Sequence, residues 1–200
     1  YGLYEIEEVQ DESWAKPKNT IILADKLAEQ TMEKSRVTKY KKIRELSLDD
    51  FNEITLTHPF SKLEGAESFW DYAVPLVEAD HVTDDAGTGF VHIAPSHGAE
   101  DFEVFLKRGW FSRMTNNVED DSSFSTAVPF FKGLQIFNKK GKEGEANRAV
   151  IQKLIEANKL IARGILEHSY PHSWRSRAPV IFRNTPQWLS LIHISEPTRQ

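Results

Sequence analysis

The sequence predicts an α+β domain organised on a mostly antiparallel, barrel-like sheet with inserted helices. Three observations carry that expectation. Short apolar–polar alternations recur along the chain, as at 1–9, 37–46 and 51–57. Two other windows, 21–35 and 145–158, place apolar residues at helical spacing. The stretch from Asp85 to Phe102 joins a strand end to the first turn of a helix across Pro95 and Gly98. Many short strands with a few inserted helices fit an antiparallel barrel or sandwich better than a parallel sheet.

The elements follow in order. Residues 1–9 alternate apolar and acidic positions and read as a strand, with Trp14 and Pro17 in the following turn. Asn19 or Thr20 can cap a helix over 21–35, where Ile22, Leu23, Leu27, Ala28 and Met32 share a face. Residues 37–46 form a strand with a wet, basic side. Its Lys39, Lys41, Lys42 and Arg44 read as a solvated face, with an RNA-facing role as the alternative. A strand at 51–57 ends in Thr57-His58-Pro59-Phe60, and 68–80 is a pair of strands interrupted by Pro75. His58 and His81 have no acid or metal-ligand spacing around them and read as structural. The polar run 115–128, with Glu119-Asp120-Asp121 and three serines, is expected to be a mobile surface loop. A short strand at 133–137, a flexible basic turn at 139–144, a helix at 145–158 and a strand beginning at 161–167 complete the pattern.

Composition narrows the class. With 200 residues, 40% apolar and 28% charged, the chain can bury a core of ordinary size. No run approaches the ~18 apolar residues of a membrane span, and the first residues are no signal peptide. The expectation is a cytoplasmic protein without membrane contact, and the absence of an initiator Met suggests a chain that starts inside a longer protein. Having no cysteine, it holds no disulfide and no zinc ribbon. A net charge of -5 argues against a general nucleic-acid coat, so RNA contact would need a local basic patch.

The chemistry concentrates at 87–102. Gly87 and Gly89 flank Thr88 and let the backbone take positive φ or pass close to a ligand. Phe90-Val91-His92-Ile93 reads as a short strand with Phe90 and His92 on one face. Ala99-Glu100-Asp101 then opens a helix that runs to about Arg108 and stops at Gly109. The plain reading of Glu100 and Asp101 is that acids suit the positive end of a helix dipole.

The run Gly87-Thr88-Gly89-Phe90-Val91-His92-Ile93-Ala94-Pro95-Ser96-His97-Gly98-Ala99-Glu100-Asp101-Phe102 resembles the editing-domain signature of the isoleucyl-tRNA synthetases. Thr57-His58-Pro59-Phe60, Gly65, His81-Val82-Thr83, Tyr170-Pro171-His172-Ser173-Trp174-Arg175 and Thr185-Pro186-Gln187-Trp188 extend the likeness over roughly 1–188. The Gly-Thr-Gly start is shared with valyl and leucyl relatives. His92 followed by Ala94-Pro95-Ser96-His97-Gly98 favours the isoleucyl branch, because the valyl enzymes usually carry Lys at that position.

The resemblance implies the editing (CP1) domain of a class I ligase over 1–166, lacking its N-terminal threonine-rich strand, and a return segment toward the catalytic domain over 167–188. It implies hydrolysis of mischarged valyl-tRNA(Ile) after transfer. Asp101 would receive the substrate's α-ammonium group, and His92 would shape the pocket near the terminal adenosine and position a water. Thr88 and Gly89 would line the substrate site. His97 matches no catalytic position of the family. The implied partners are the tRNA(Ile) acceptor end and valine or isoleucine as aminoacyl groups, in a monomeric parent. Relatives often carry a Cys-x-x-Cys pair where this chain has Ser173 and Ser176; hydroxyls are poor zinc ligands, so no metal is expected. Neither ATP-binding signature of the family occurs here, so ATP and Mg are implied for the parent and no cofactor for this region.

Two rival classes remain at this point: a non-catalytic module binding tRNA acceptor ends, or the editing domain of a valyl or leucyl relative. A metallohydrolase using His92, His97 and Asp101 is disfavoured, because His-x-x-x-x-His across a Pro–Gly turn lacks the i, i+4 geometry of a zinc helix. The basic candidates for RNA contact are Lys139, Lys140, Lys142, Arg175, Arg177 and Arg183. Finally, Leu189-Ser190-Leu191-Ile192-His193-Ile194-Ser195-Glu196-Pro197-Thr198-Arg199 resembles the translation of a transposon adapter used in sequencing libraries, so 189–200 is expected to be non-native read-through.

Overall fold

The computed structural model describes residues 1–85, 87–165 and 169–185. The expected tail at 189–200, the residues Pro186-Gln187-Trp188 and the end of the strand expected at 161–167 lie outside them.

The chain begins with a three-stranded antiparallel sheet of order β2-β1-β3, made of β1 (Gly2–Val9), β2 (Thr20–Leu23) and β3 (Val37–Glu45). Alternation in β1 sends Tyr4 and Ile6 inward, onto Leu23, Ala28, Met32 and Val37. The opposite face carries Glu5 and Glu7. The basic run of β3 meets it: Lys41 pairs with Glu5 at 2.8 Å and Lys39 with Glu7 at 3.2 Å, while on the Tyr4 side Lys42 pairs with Asp25 at 2.9 Å. Arg44 pairs with Asp50 at 2.8 Å. The solvated-face reading of β3 therefore holds, and these cations are spoken for.

The helix expected over 21–35 divides. Its first residues are drawn into β2 because they pair with β1 in register Gly2↔Leu23 to Glu5↔Thr20. A 3₁₀ turn at Asp25–Leu27 leads into α1 (Ala28–Lys34). Residues 51–57 are likewise not one strand. Ser47 and Asp50 form a reciprocal capping box that starts α2 (Leu48–Asn52), leaving β4 (Thr55–Thr57) to pair with β5 (Ala73–Pro75). Of the two strands expected over 68–80, only β5 forms.

A second core gathers Phe60, Ala66, Trp70, Val128 and Phe131 against Ala149, Val150 and Leu154 of α4 (Ala146–Glu156). The segment expected to be a mobile loop is packed into it. Val118 and Val128 are buried, and the loop is braced by Glu119 N–H to Ser123 O at 2.8 Å and Ser125 N–H to Asn117 O at 2.9 Å. The strand expected at 133–137 is reduced to isolated bridges, Ser123 with Gln135 and Phe137 with Glu143.

The α+β class is thus observed, but not the barrel. Among the described residues the strands form two separate antiparallel sheets, of three and two strands, and neither closes. No helix among them is long and apolar enough to cross a membrane.

Candidate functional site

The central stretch is anchored at both ends. Gly89 has φ +83° and is buried, and a Cβ there would stand 2.6 Å from Ala24 Cβ and 3.0 Å from the Tyr1 ring. Only glycine fits both the conformation and the approach. Tyr1 Oη donates to Gly89 O at 2.7 Å, and Ala24 N–H donates to Thr88 O at 3.0 Å. Thr88 is therefore fixed by its backbone, while its Oγ1 stays within its own turn, 3.4 Å from Phe90 N.

Residues 90–93 are not the expected strand. They find no ladder partner among the described residues, because Phe90 turns onto the Tyr1 and Phe51 rings, with centroids 5.1 and 6.0 Å away. His92 is exposed.

Beyond Pro95 the chain turns tightly, with Gly98 N–H donating to Ala94 O at 3.0 Å, and enters α3 (Ala99–Arg108). This helix matches its expectation closely. Glu100 and Asp101 occupy the first turn, and Gly109 ends it in the left-handed conformation at φ 66°. Asp101 does more than face the helix dipole. Its Oδ2 accepts Ala94 N–H at 2.9 Å, so the carboxylate folds back over the turn that precedes its own helix. The absence of a side chain at Gly98 makes room, since a Cβ there would lie 2.8 Å from Oδ2.

The other carboxylate oxygen faces a residue that sequence reasoning set aside. His81 Nε2 lies 3.5 Å from Asp101 Oδ1; the atom is buried and has no hydrogen-bond partner. Nothing in the local spacing marks His81, because only the fold carries it to α3.

His92 meets a different neighbour. Burial, and after it the charge of His92, holds the His58 imidazole down at about 4. His58 stacks on Trp70 at 5.1 Å with the planes 6° apart, and its Nδ1 accepts Phe60 N–H at 3.1 Å. The proton of the neutral ring therefore sits on Nε2. Among the described residues no hydrogen bond or ion pair joins His92 to Asp101; Asp101 neighbours His81, and His92 neighbours His58. His97 is turned away, with Nδ1 2.7 Å from Phe182 O. Among the described residues no three His, Asp or Glu side chains converge as metal ligands.

A strap completes the arrangement. Beside the His97 contact, Asn184 N–H donates to Ser96 O at 2.7 Å, and Ser96 Oγ donates to Thr115 O at 2.6 Å. Two clefts lie elsewhere. One of about 490 Å³ is polar, with Glu143, Glu145 and Arg148 in its wall. One of about 290 Å³ runs beside β4 and β5, lined by Phe51, Ile54, Val74 and Arg113 among others.

Of the basic residues singled out for RNA, Arg183 is engaged: it pairs with Asp120 and donates to Val118 O at 3.3 Å. The turn at 139–142 lies against the segment 170–180. A Cβ on Gly141 would stand 3.0 Å from Pro179 Cδ, so the turn that carries Lys139, Lys140 and Lys142 is adjacent in space to the segment that carries Arg175 and Arg177.

No family model matches the chain. Curated relatives do. The chain is 47% identical over 195 residues to a protein of Bradyrhizobium diazoefficiens, 45% over 195 to one of Rhodopseudomonas palustris and 48% over 195 to one of Ruegeria pomeroyi. The alignments cover 94%, 94% and 96% of this chain but only 19%, 19% and 20% of the relatives, so the chain spans about a fifth of their length. All three relatives are aminoacyl-tRNA ligases, and the chain is homologous to one region of such enzymes. Within that class each of the three is named an isoleucine–tRNA ligase, and it is to one region of these that the chain is similar.

Proposed function

We propose that this chain supplies the editing pocket of an isoleucine–tRNA ligase, hydrolysing valine from mischarged tRNA(Ile) in a cytoplasmic enzyme that joins isoleucine to tRNA(Ile). ATP and magnesium serve the joining reaction elsewhere in that enzyme. The need for such a pocket is physical. Isoleucine and valine differ by one methylene, which a hydrophobic pocket separates by only ~1–3 kcal/mol, a limit for which isoleucine–tRNA ligase is itself the standard example.

The observation that carries the reading is the placement of Asp101. A carboxylate, mostly covered, held on one oxygen by a backbone N–H and set beside a glycine-rich turn, can accept a substrate ammonium through a charge-assisted bond. The valyl ester carbonyl then lies within reach of a water oriented by His92, whose exposed imidazole borders the same stretch. Water adds to the carbonyl carbon, the ester C–O bond breaks, and the ribose hydroxyl leaves with the proton. The acceptor end of tRNA(Ile) approaches across the surface of Lys139, Lys140, Lys142, Arg175 and Arg177.

The test is Asp101→Ala in the complete protein carrying this region. Valyl-tRNA(Ile) persists in the variant while isoleucine activation is unchanged. Equal deacylation by variant and parent, measured as release of labelled valine, removes the ammonium role from Asp101. Retained tRNA binding without deacylation in the parent would instead favour a non-catalytic binding module.

A further inference from the structure

The buried Nε2 of His81 is the one buried side-chain nitrogen or oxygen without a hydrogen-bond partner among the described residues. Burying such a group unpaired is costly, so its position needs a reason. The nearest partner chemistry offers is Asp101 Oδ1, 3.5 Å away, about half an ångström beyond a good N–H···O contact. Asp101 is already held through Oδ2 by Ala94 N–H. One bond leaves a carboxylate free to turn about its last torsion; a second, on the other oxygen, fixes its plane. Both side chains are mostly covered, at 20% and 17% exposure, so water cannot supply that second bond as readily. Of the charges on the same two segments, Asp80 faces Lys107 at 4.0 Å.

We propose that His81 is a positioning residue for Asp101, donating Nε2–H to Oδ1 and so presenting the carboxylate to an α-ammonium group. The inference rests on the editing reading above for what Asp101 binds, but the His81–Asp101 pairing stands on its own geometry. His81 never touches substrate. It acts by reducing the freedom of the group that does, and the bond shortens when the ammonium draws the carboxylate into line. The effect falls on binding of the ground state and transition state alike, which appears in KM rather than kcat.

The experiment uses the complete protein and two substrates: valyl-tRNA(Ile), and its analogue with a hydroxyl in place of the α-amino group. His81→Phe keeps the ring shape and removes the donor; His81→Gln keeps a donor N–H. His81→Phe raises KM for valyl-tRNA about tenfold with kcat nearly unchanged, the size expected for a hydrogen bond to a charged group. His81→Gln recovers most of that loss, the hydroxy analogue is insensitive to either change, and Asp101→Asn abolishes the effect of His81→Phe. Parent-like KM in His81→Phe overturns the inference, and so does equal impairment on both substrates, which would mark a purely structural role. If Asp101→Asn leaves KM for valyl-tRNA unchanged, the editing role of Asp101 fails instead. The pairing is then read from thermal unfolding of the two single variants and the double: non-additive Tm shifts uphold it, additive shifts overturn it.

Discussion

His58 shows how a single side chain couples folding to pH. Burial disfavours its charged form and the neighbouring His92 adds to the effect, so the folded protein holds its imidazole at about 4, against 6.5 for the free side chain. Between those values the unfolded chain binds a proton that the folded chain does not. Stability is therefore complete above about pH 6.5, declines as pH falls toward 4, and stops declining below it. The slope contributed by this one group approaches ~1.4 kcal/mol per pH unit. Denaturation midpoints measured from pH 7 to pH 4 show this decline in the parent and a shallower one in His58→Gln; identical slopes would place the acid sensitivity in another group. Asp101 was legible in the sequence because the Gly-Ala-Glu-Asp turn both starts a helix and completes a recognisable signature. His58 and His81 were not, since their partners Trp70, His92 and Asp101 become neighbours only through tertiary packing.

At the scale of elements, α3 was readable from end to end, because its start, its acids and its terminal glycine are all local signals. The stretch 20–35 was misread for the opposite reason: the pairing of β2 with β1 overrides a helical apolar pattern. The start of α2 was present in the sequence as Ser47 and Asp50, a capping box with Asp in place of the usual Glu or Gln. The N-cap of α3 gives a prediction that separates structure from function. Gly98 has φ -119°, which any residue adopts, and the atom that a new Cβ meets first is the end of the Asp101 side chain. Gly98→Ala therefore leaves the melting temperature within a few degrees of the parent, at the cost of less than ~1 kcal/mol. It displaces the carboxylate, and deacylation of valyl-tRNA falls by about tenfold or more, as one charge-assisted contact is lost. A variant that is fully active would show that the carboxylate's position does not matter.

Across the whole molecule, apolar residues collect in two cores, one beneath the three-stranded sheet and one around Trp70 and α4. Composition indicated enough apolar material for a core, but its division in two depends on long-range pairing that no local pattern encodes. Charge follows the same rule. The cations of β3 are neutralised by facing acids, whereas those at 139–142 and 175–177 form none of the observed ion pairs, although Lys139 lends some of its field to Asp121. Replacing Lys139, Lys140 and Lys142 with alanine lowers the slope of log K against log salt for acceptor-stem RNA by about 2, at ~0.7–0.9 per lost phosphate contact. Arg183→Ala leaves the slope unchanged and lowers thermal stability instead. A slope untouched by the triple change would move the RNA path to another face.

The strap formed by Phe182 and Asn184 has a consequence for the order in which the protein is made. Ribosomes release the chain from its N-terminus, so the three-stranded sheet, the Gly87–Gly89 anchor and α3 can all be assembled from what has already emerged. The turn ahead of α3 gains its long-range tie, from His97 to Phe182 O, only when residues 85 positions beyond His97 have been synthesised. A nascent chain stalled before Phe182 would be folded over most of its length yet still without the strap across the turn ahead of α3. The strap is in this sense a late addition to the region, made after its cores are already closed.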